Sequence, residues 1–251
     1  ESFAGETRVL LINDEEEVEE GEITGFAVDE QSLHCSTMSG DLLCQVTASG
    51  VRLADGSSLE QVSQWKPAEQ ITVAASNATQ VLVTTGSGAL TLLTVGADQQ
   101  LTVSATTQLE YEISCIDLTP LEQGAPAQYA AVGLWTDLSV RLLTLPTLKQ
   151  VALEQLGGQT IPRSVVLSHL GSQDYLMCGL GDGRLFTFLV GGNGLVSGRK
   201  EHNLGTQPII LTNFTSRHET HADEQNVFAA CDRPSVIYAS SSGSGVERLL
   251  F

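Results

Sequence analysis

His218 and His221, with Glu219, Asp223 and Glu224 close by, carry the side-chain types that ligate a divalent cation. A hydrolytic zinc site sets its two histidines one helical turn apart with a glutamate base between them, as in H-E-x-x-H. Here the spacing differs, and a polar stretch with no regular element to fix it is ordinarily solvated. The glycines of Gly179-Leu-Gly-Asp-Gly183 suggest a phosphate cradle, but the spacing is not G-x-G-x-x-G and the flanking runs read as strands. Asp182-Gly183 therefore reads as a hairpin turn. Neither a nucleophile elbow nor a paired-carboxylate motif stands out. No catalytic constellation is legible, and neither a metal nor a cofactor is expected.

The residues that do stand out suit contact with another protein. Glu112 precedes the apolar run Ile113 to Leu118, and Trp135 follows the run Tyr129 to Leu134. If these runs are neighbouring antiparallel strands, Glu112 and Trp135 emerge at the same edge of the sheet. The turn Trp135-Thr136-Asp137 places a large aromatic and an acid where Gly, Asn or Asp alone would be ordinary. Leaving an indole in water is costly unless a partner covers it. The competing reading is that Trp135 folds back over the turn and packs on its own sheet.

The elements that must position these residues recur along the chain. Pairs of apolar runs joined by a tight turn centre near 40, 88, 136, 183 and 233, so the intervals are 48, 48, 47 and 50 residues. A third run precedes each pair: Ile23 to Val28, Ile71 to Ala75, Ile113 to Leu118, Ser164 to Ser168 and Pro208 to Phe214. A weaker fourth follows, as in Leu101 to Ala105 and Gln150 to Leu153, and Arg8 to Ile12 reads as an outer strand of an earlier unit. Four strands per 40–50 residues is the signature of β-propeller blades, whose sheets bury their faces only against neighbouring blades. The expected fold is all-β: a partial propeller of about five four-stranded antiparallel blades, forming one domain over residues 1–251.

Composition agrees with a folded chain. Hydrophobic residues make up 41% and charged residues 17%, enough apolar surface for a substantial core. The run nearest to membrane character, Tyr129 to Trp135, is far short of the ~20 residues that span a bilayer. Thirty acidic against 12 basic residues give a net charge of −18, which repels nucleic-acid phosphates; the nearest approach to a basic cluster is Arg199-Lys200. The acidic run Asp14 to Glu20 reads as a solvated connection. Five scattered cysteines, Cys35, Cys44, Cys115, Cys178 and Cys231, suggest reduced thiols, mostly in the core, and a reducing intracellular compartment. Asn77-Ala-Thr79 and Asn213-Phe-Thr215 match the glycosylation sequon only by chance in such a setting. The abrupt, unleadered start suggests a fragment.

Several ordered strings carry a resemblance over nearly the whole chain: Thr7-Arg-Val-Leu10, Glu17-Val-Glu-Glu20, Ile113-Ser-Cys-Ile-Asp-Leu-Thr-Pro-Leu121, Gly133-Leu-Trp-Thr-Asp137 and Leu156-Gly-Gly158 with Ile161-Pro-Arg-Ser164. Leu180-Gly-Asp-Gly183, Leu204-Gly-Thr-Gln-Pro208 and Cys231-Asp-Arg-Pro234 with Val236-Ile-Tyr238 complete the set. Together they resemble the middle propeller of the family of damaged-DNA-binding adaptors of type-4 cullin ubiquitin ligases. Splicing factor 3b and the cleavage and polyadenylation factor contain related propeller subunits, an alternative role in RNA processing. The Gly-Leu-Trp-Thr-Asp and Ile-Pro-Arg-Ser strings favour the ligase adaptor. The resemblance implies a seven-bladed ring, of which about two blades are missing here, and a non-catalytic scaffold acting in DNA repair and ubiquitination. It implies docking of the type-4 cullin N-terminal region at Trp135, Glu112 and Asp137, with neighbouring propellers of the full-length chain as further partners. Nucleic acid would be reached only indirectly through a receptor subunit, no membrane is involved, and the location would be nucleus and cytoplasm.

Overall fold

The computed structural model describes residues 2–3, 5–12, 17–21, 23–122, 124–216, 224–241 and 247–251. Two short ladders open the chain, β1 (Ser2–Phe3) with β2 (Glu6–Thr7) and β3 (Val9–Ile12) with β4 (Val18–Gly21). Part of the acidic run is thus a strand, paired with the run at Arg8 to Ile12; its earlier residues 14–16 lie outside the described set, as do residues 217–223 with His218, Glu219, His221 and Asp223. Five four-stranded antiparallel sheets follow, each with its strands in chain order. Sheet I is β5 (Ser32–Met38), β6 (Leu42–Thr47), β7 (Gly50–Asp55) and β8 (Gln61–Trp65). Sheet II is β9 (Ile71–Ser76), β10 (Gln80–Thr85), β11 (Ala89–Val95) and β12 (Leu101–Gln108). Sheet III is β13 (Ile113–Asp117), β14 (Tyr129–Leu134), β15 (Ser139–Thr144) and β16 (Lys149–Gln155). Sheet IV is β17 (Pro162–Leu170), β18 (Gln173–Leu180), β19 (Arg184–Val190) and β20 (Val196–Asn203). Sheet V is β21 (Ile210–Ser216), β22 (Glu224–Ala230), β23 (Ser235–Ser241) and β24 (Glu247–Leu250). The chain packs as two units, residues 1–109 and 110–251.

The turns near 88, 136, 183 and 233 join the second and third strands of sheets II to V, as the repeat requires. The turn near 40 does not. It joins the first and second strands of sheet I, so the repeat read from sequence is one strand out of phase there. Ile23 to Val28 is not the missing strand. The fully buried side chain of Gln45 accepts from Ala27 N at 2.8 Å and donates to Ala27 O at 2.9 Å, occupying the groups a ladder would need. Polar Gln61–Trp65 supplies the fourth strand instead.

Middle strands are buried on both faces and outer strands on one, which is why the former read as continuous apolar runs and the latter alternate. Every residue of β14 is buried, whereas β16 alternates between exposed and half-buried positions. Between sheets III and IV lie Leu142, Leu167, Leu176, Cys178, Phe186 and Phe188; between IV and V lie Met177, Leu185, Ile209, Val227 and Ile237. Glycine sets the approach: a Cβ at Gly133 would come within 2.6 Å of Cys115 Sγ and 2.8 Å of Pro162 Cβ. First strands of neighbouring sheets are stitched by side chains. Leu167 N donates to Asp117 Oδ2 at 2.7 Å, Leu211 N to Ser164 Oγ at 3.0 Å, and Asn213 Nδ2 to Leu167 O at 2.8 Å. In the first unit His34 Nε2 and Ser76 Oγ are 2.8 Å apart. The far face of sheet V leaves Ile210, Phe214, Phe228, Val236 and Tyr238 exposed, as an end blade of an incomplete set must.

Cys44, Cys115 and Cys178 are buried, and all five cysteines are free thiols. Cys35 departs from the core reading, because β5 turns Leu33, Cys35 and Thr37 outward. Burial pushes the Cys44 and Cys115 thiols up to about 12, so neither is a nucleophile at neutral pH.

Candidate protein-interaction surface

Ile113 pairs with Leu134, and the ladder runs one step further: Trp135 N donates to Glu112 O at 2.9 Å. The two sequence-predicted residues are therefore brought together at one edge of sheet III. Glu112 is exposed and Trp135 is 41% exposed, a large fraction for an indole. Among the described residues the indole has no hydrogen-bond or ring partner, so its uncovered part faces water. Beside it stand Tyr111, 37% exposed, and Glu110, whose side chain is 78% exposed; sequence reasoning missed both, since residues flanking a strand carry no periodic signal.

Asp137 is placed differently. Its carboxylate accepts from Ser139 Oγ at 2.8 Å and from Arg141 Nη2 at 2.9 Å, and its side chain is only 13% exposed. Arg141 also lies 3.9 Å from Glu110, but the shorter and better buried partner is Asp137. Asp137 thus holds the turn that carries Trp135, and Leu138, at φ 51°, completes that turn in the left-handed region. Sheets IV and V repeat the device. Asp182 receives Thr160 Oγ1 and Arg184 Nε, each at 2.9 Å, and Asp232 receives Thr206 N and Oγ1, each at 3.0 Å. Each of these two carboxylates ties the turn between strands two and three to the segment that leads into its own sheet. Gly181 to Gly183 is accordingly a hairpin turn, with Gly183 at φ 83° against the backbone of Gly205.

These bonds depress acid pKa values. The Thr206 backbone N–H, above all, holds Asp232 below its ordinary value; at Asp182 burial pushes upward, and the bonds from Thr160 and Arg184 outweigh it. A carboxyl depressed in the folded state lends stability that is fully present above the unfolded value of about 3.9 and is lost as pH falls through the folded value. Asp232→Asn is therefore less stable than the parent near neutral pH, and the gap closes as pH falls below about 4. Denaturant midpoints across that range check this, and a gap independent of pH contradicts it. Asp117, by contrast, is pushed up by burial despite the bonds from Leu167 N and Thr119 Oγ1, and it serves as a clamp between sheets III and IV. Among the described residues no group of His, Cys, Asp and Glu is arranged to hold a metal ion.

A sequence profile described as the RSE1/DDB1/CPSF1 second beta-propeller matches residues 1–246. The chain belongs to this family. It is 49% identical to DNA damage-binding protein 1 of Oryza sativa subsp. japonica over 246 residues, 96% of this chain and 22% of that protein. It is 46% identical to DNA damage-binding protein 1a of Arabidopsis thaliana over 244 residues, again 96% of this chain and 22% of the relative. The chain thus spans about a fifth of the length of these relatives. Its five sheets are the blades of a partial β-propeller, and the family resemblance read from the sequence strings holds.

Proposed function

We propose that residues 1–251 form a single partial propeller that serves as a non-catalytic docking scaffold, and that the Trp135 edge of sheet III takes the N-terminal region of a type-4 cullin. The observation that carries this reading is the half-exposed indole of Trp135, hydrogen-bonded through its backbone to Glu112 and flanked by Tyr111 and Glu110. An aromatic anchor inside a ring of polar contacts is the usual shape of a binding hot spot. The acidic neighbours suit a partner that brings basic and apolar side chains together. Asp137 acts by fixing the turn rather than by offering its carboxylate, which Ser139 and Arg141 already occupy. In this reading neighbouring propellers are further partners, and the protein works in the nucleus and cytoplasm in DNA repair and ubiquitin conjugation. The net charge of −18 supports nucleic-acid contact only through a receptor subunit.

The family also includes RNA-processing subunits, so the test is comparative. Immobilised chain is offered purified cullin N-terminal region and, separately, splicing-complex subunits. Retention of the cullin and not of the splicing subunits is expected; the reverse pattern assigns the surface to RNA processing.

A further inference from the structure

Sheets IV and V enclose, beside their outer strands, a cavity of about 320 Å3. Lys200 and His202 of β20 and Arg248 of β24 line it together with Thr187, Leu189 and Leu249, and no Asp or Glu is among its described lining residues. That is a local excess of cations in a chain with 30 acidic and 12 basic residues.

The excess is set by one backbone feature. Between Thr187 and Leu189 the register of β19 with β20 shifts, so that Ser197 faces Leu189 but Lys200 faces Thr187. One extra residue in β20, next to Gly198 at φ 65°, makes this bulge and reverses the facing of everything that follows. Lys200 pairs with Thr187 and His202 with Leu185, on the side turned to sheet V, while Glu201 pairs with Phe186 on the other side. Arg199 also goes to the other side, its guanidinium 4.4 Å over the Phe186 ring. Without the bulge Arg199 and Glu201 would face the cavity in place of Lys200 and His202, so that one of its two cationic side chains there would be offset by a carboxylate.

His202 adds a second observation. Among the described residues its Nε2 is buried with no hydrogen-bond partner, a state that calls for a partner such as a water, an ion or a ligand. Its ring lies 4.1 Å from that of Phe251, and burial, with Lys200 nearby, holds its pKa below the ordinary value.

We propose that this cavity binds a phosphate monoester, its phosphoryl group held by Lys200, His202 and Arg248 and its organic part lying against Leu189 and Leu249. Two permanent cations and one titratable ring match a dianion better than a single carboxylate, and the cavity is at the small end of ligand-pocket sizes. Bringing a dianion to His202 favours the imidazolium, so binding takes up a proton. The site is independent of the docking reading above.

Phenyl phosphate, an O-phosphoserine peptide and benzoate are titrated calorimetrically into the chain at low salt, at about pH 7 and about pH 8.5, where a monoester stays mostly dianionic. Saturable binding of phenyl phosphate is expected, weakened about tenfold in Lys200→Gln and in Arg248→Gln. Binding should be tighter at the lower pH in the parent and insensitive to pH in His202→Gln. The first two substitutions fall on exposed side chains, and circular dichroism checks that all three variants fold. The phosphopeptide arm identifies the source: binding as tight as phenyl phosphate places the phosphoryl group on a partner chain, and weaker binding places it on a free small molecule. No saturable binding, equal affinity for benzoate, or unchanged affinity in all three variants overturns the proposal.

Discussion

On the proposed docking role, replacing Trp135 by Ala is expected to weaken binding of a type-4 cullin N-terminal region by about thirtyfold, on the order of 2 kcal/mol, and to lower the denaturant midpoint only modestly. The reasoning rests on where the side chain sits. Trp135 lies one step beyond the end of β14, and its backbone bond to Glu112 survives the substitution because alanine keeps the N–H. The turn is held independently by Asp137, Ser139 and Arg141. What is lost is the whole indole, 41% exposed: its exposed part matters only when a partner covers it, and its covered part costs a little stability in either case. If Trp135 were chiefly a packing residue the ordering would reverse: the variant would lose stability, and the surviving folded protein would bind as before. Affinity and midpoint measured on the same two proteins separate these outcomes.

Phe186→Ala has the opposite signature, a loss of about 3–5 kcal/mol in stability with no direct effect on the docking edge. Phe186 is fully buried between sheets III and IV, its ring 6.4 Å from that of Phe188 and beneath the Arg199 guanidinium. Truncation opens a cavity among residues of both sheets and removes the platform on which Arg199 rests while it donates to Leu156 O. Urea or guanidinium unfolding followed by far-ultraviolet circular dichroism reads the loss directly. A midpoint within error of the parent would mean that the two sheets do not share this core.

Strands buried on both faces announced themselves in the sequence, and so did the turns between them, which is why sheets II to V and the Glu112–Trp135 edge could be placed from spacing alone. Sheet I was misphased because Ile23, Phe26 and Val28 have strand-like composition, while the reason they are not a strand is a single buried amide, Gln45, distant in sequence. Gln61–Trp65 was missed for the converse reason: an outer strand satisfies one apolar face only and looks polar. Asp137 was legible as a turn residue, but its engagement by Arg141 depends on how that turn folds. Arg199 and Lys200 are neighbours in sequence and read as one small basic cluster; the bulge sends them to opposite faces, which no composition argument reveals.

The docking account is tested most directly by amide hydrogen exchange of the chain with and without a cullin N-terminal region at saturating concentration. Protection is expected to concentrate at residues 110–112 and 135–138, with the turns of sheets IV and V less affected. Binding that leaves exchange at Glu112 and Trp135 unchanged while protecting another surface would contradict it.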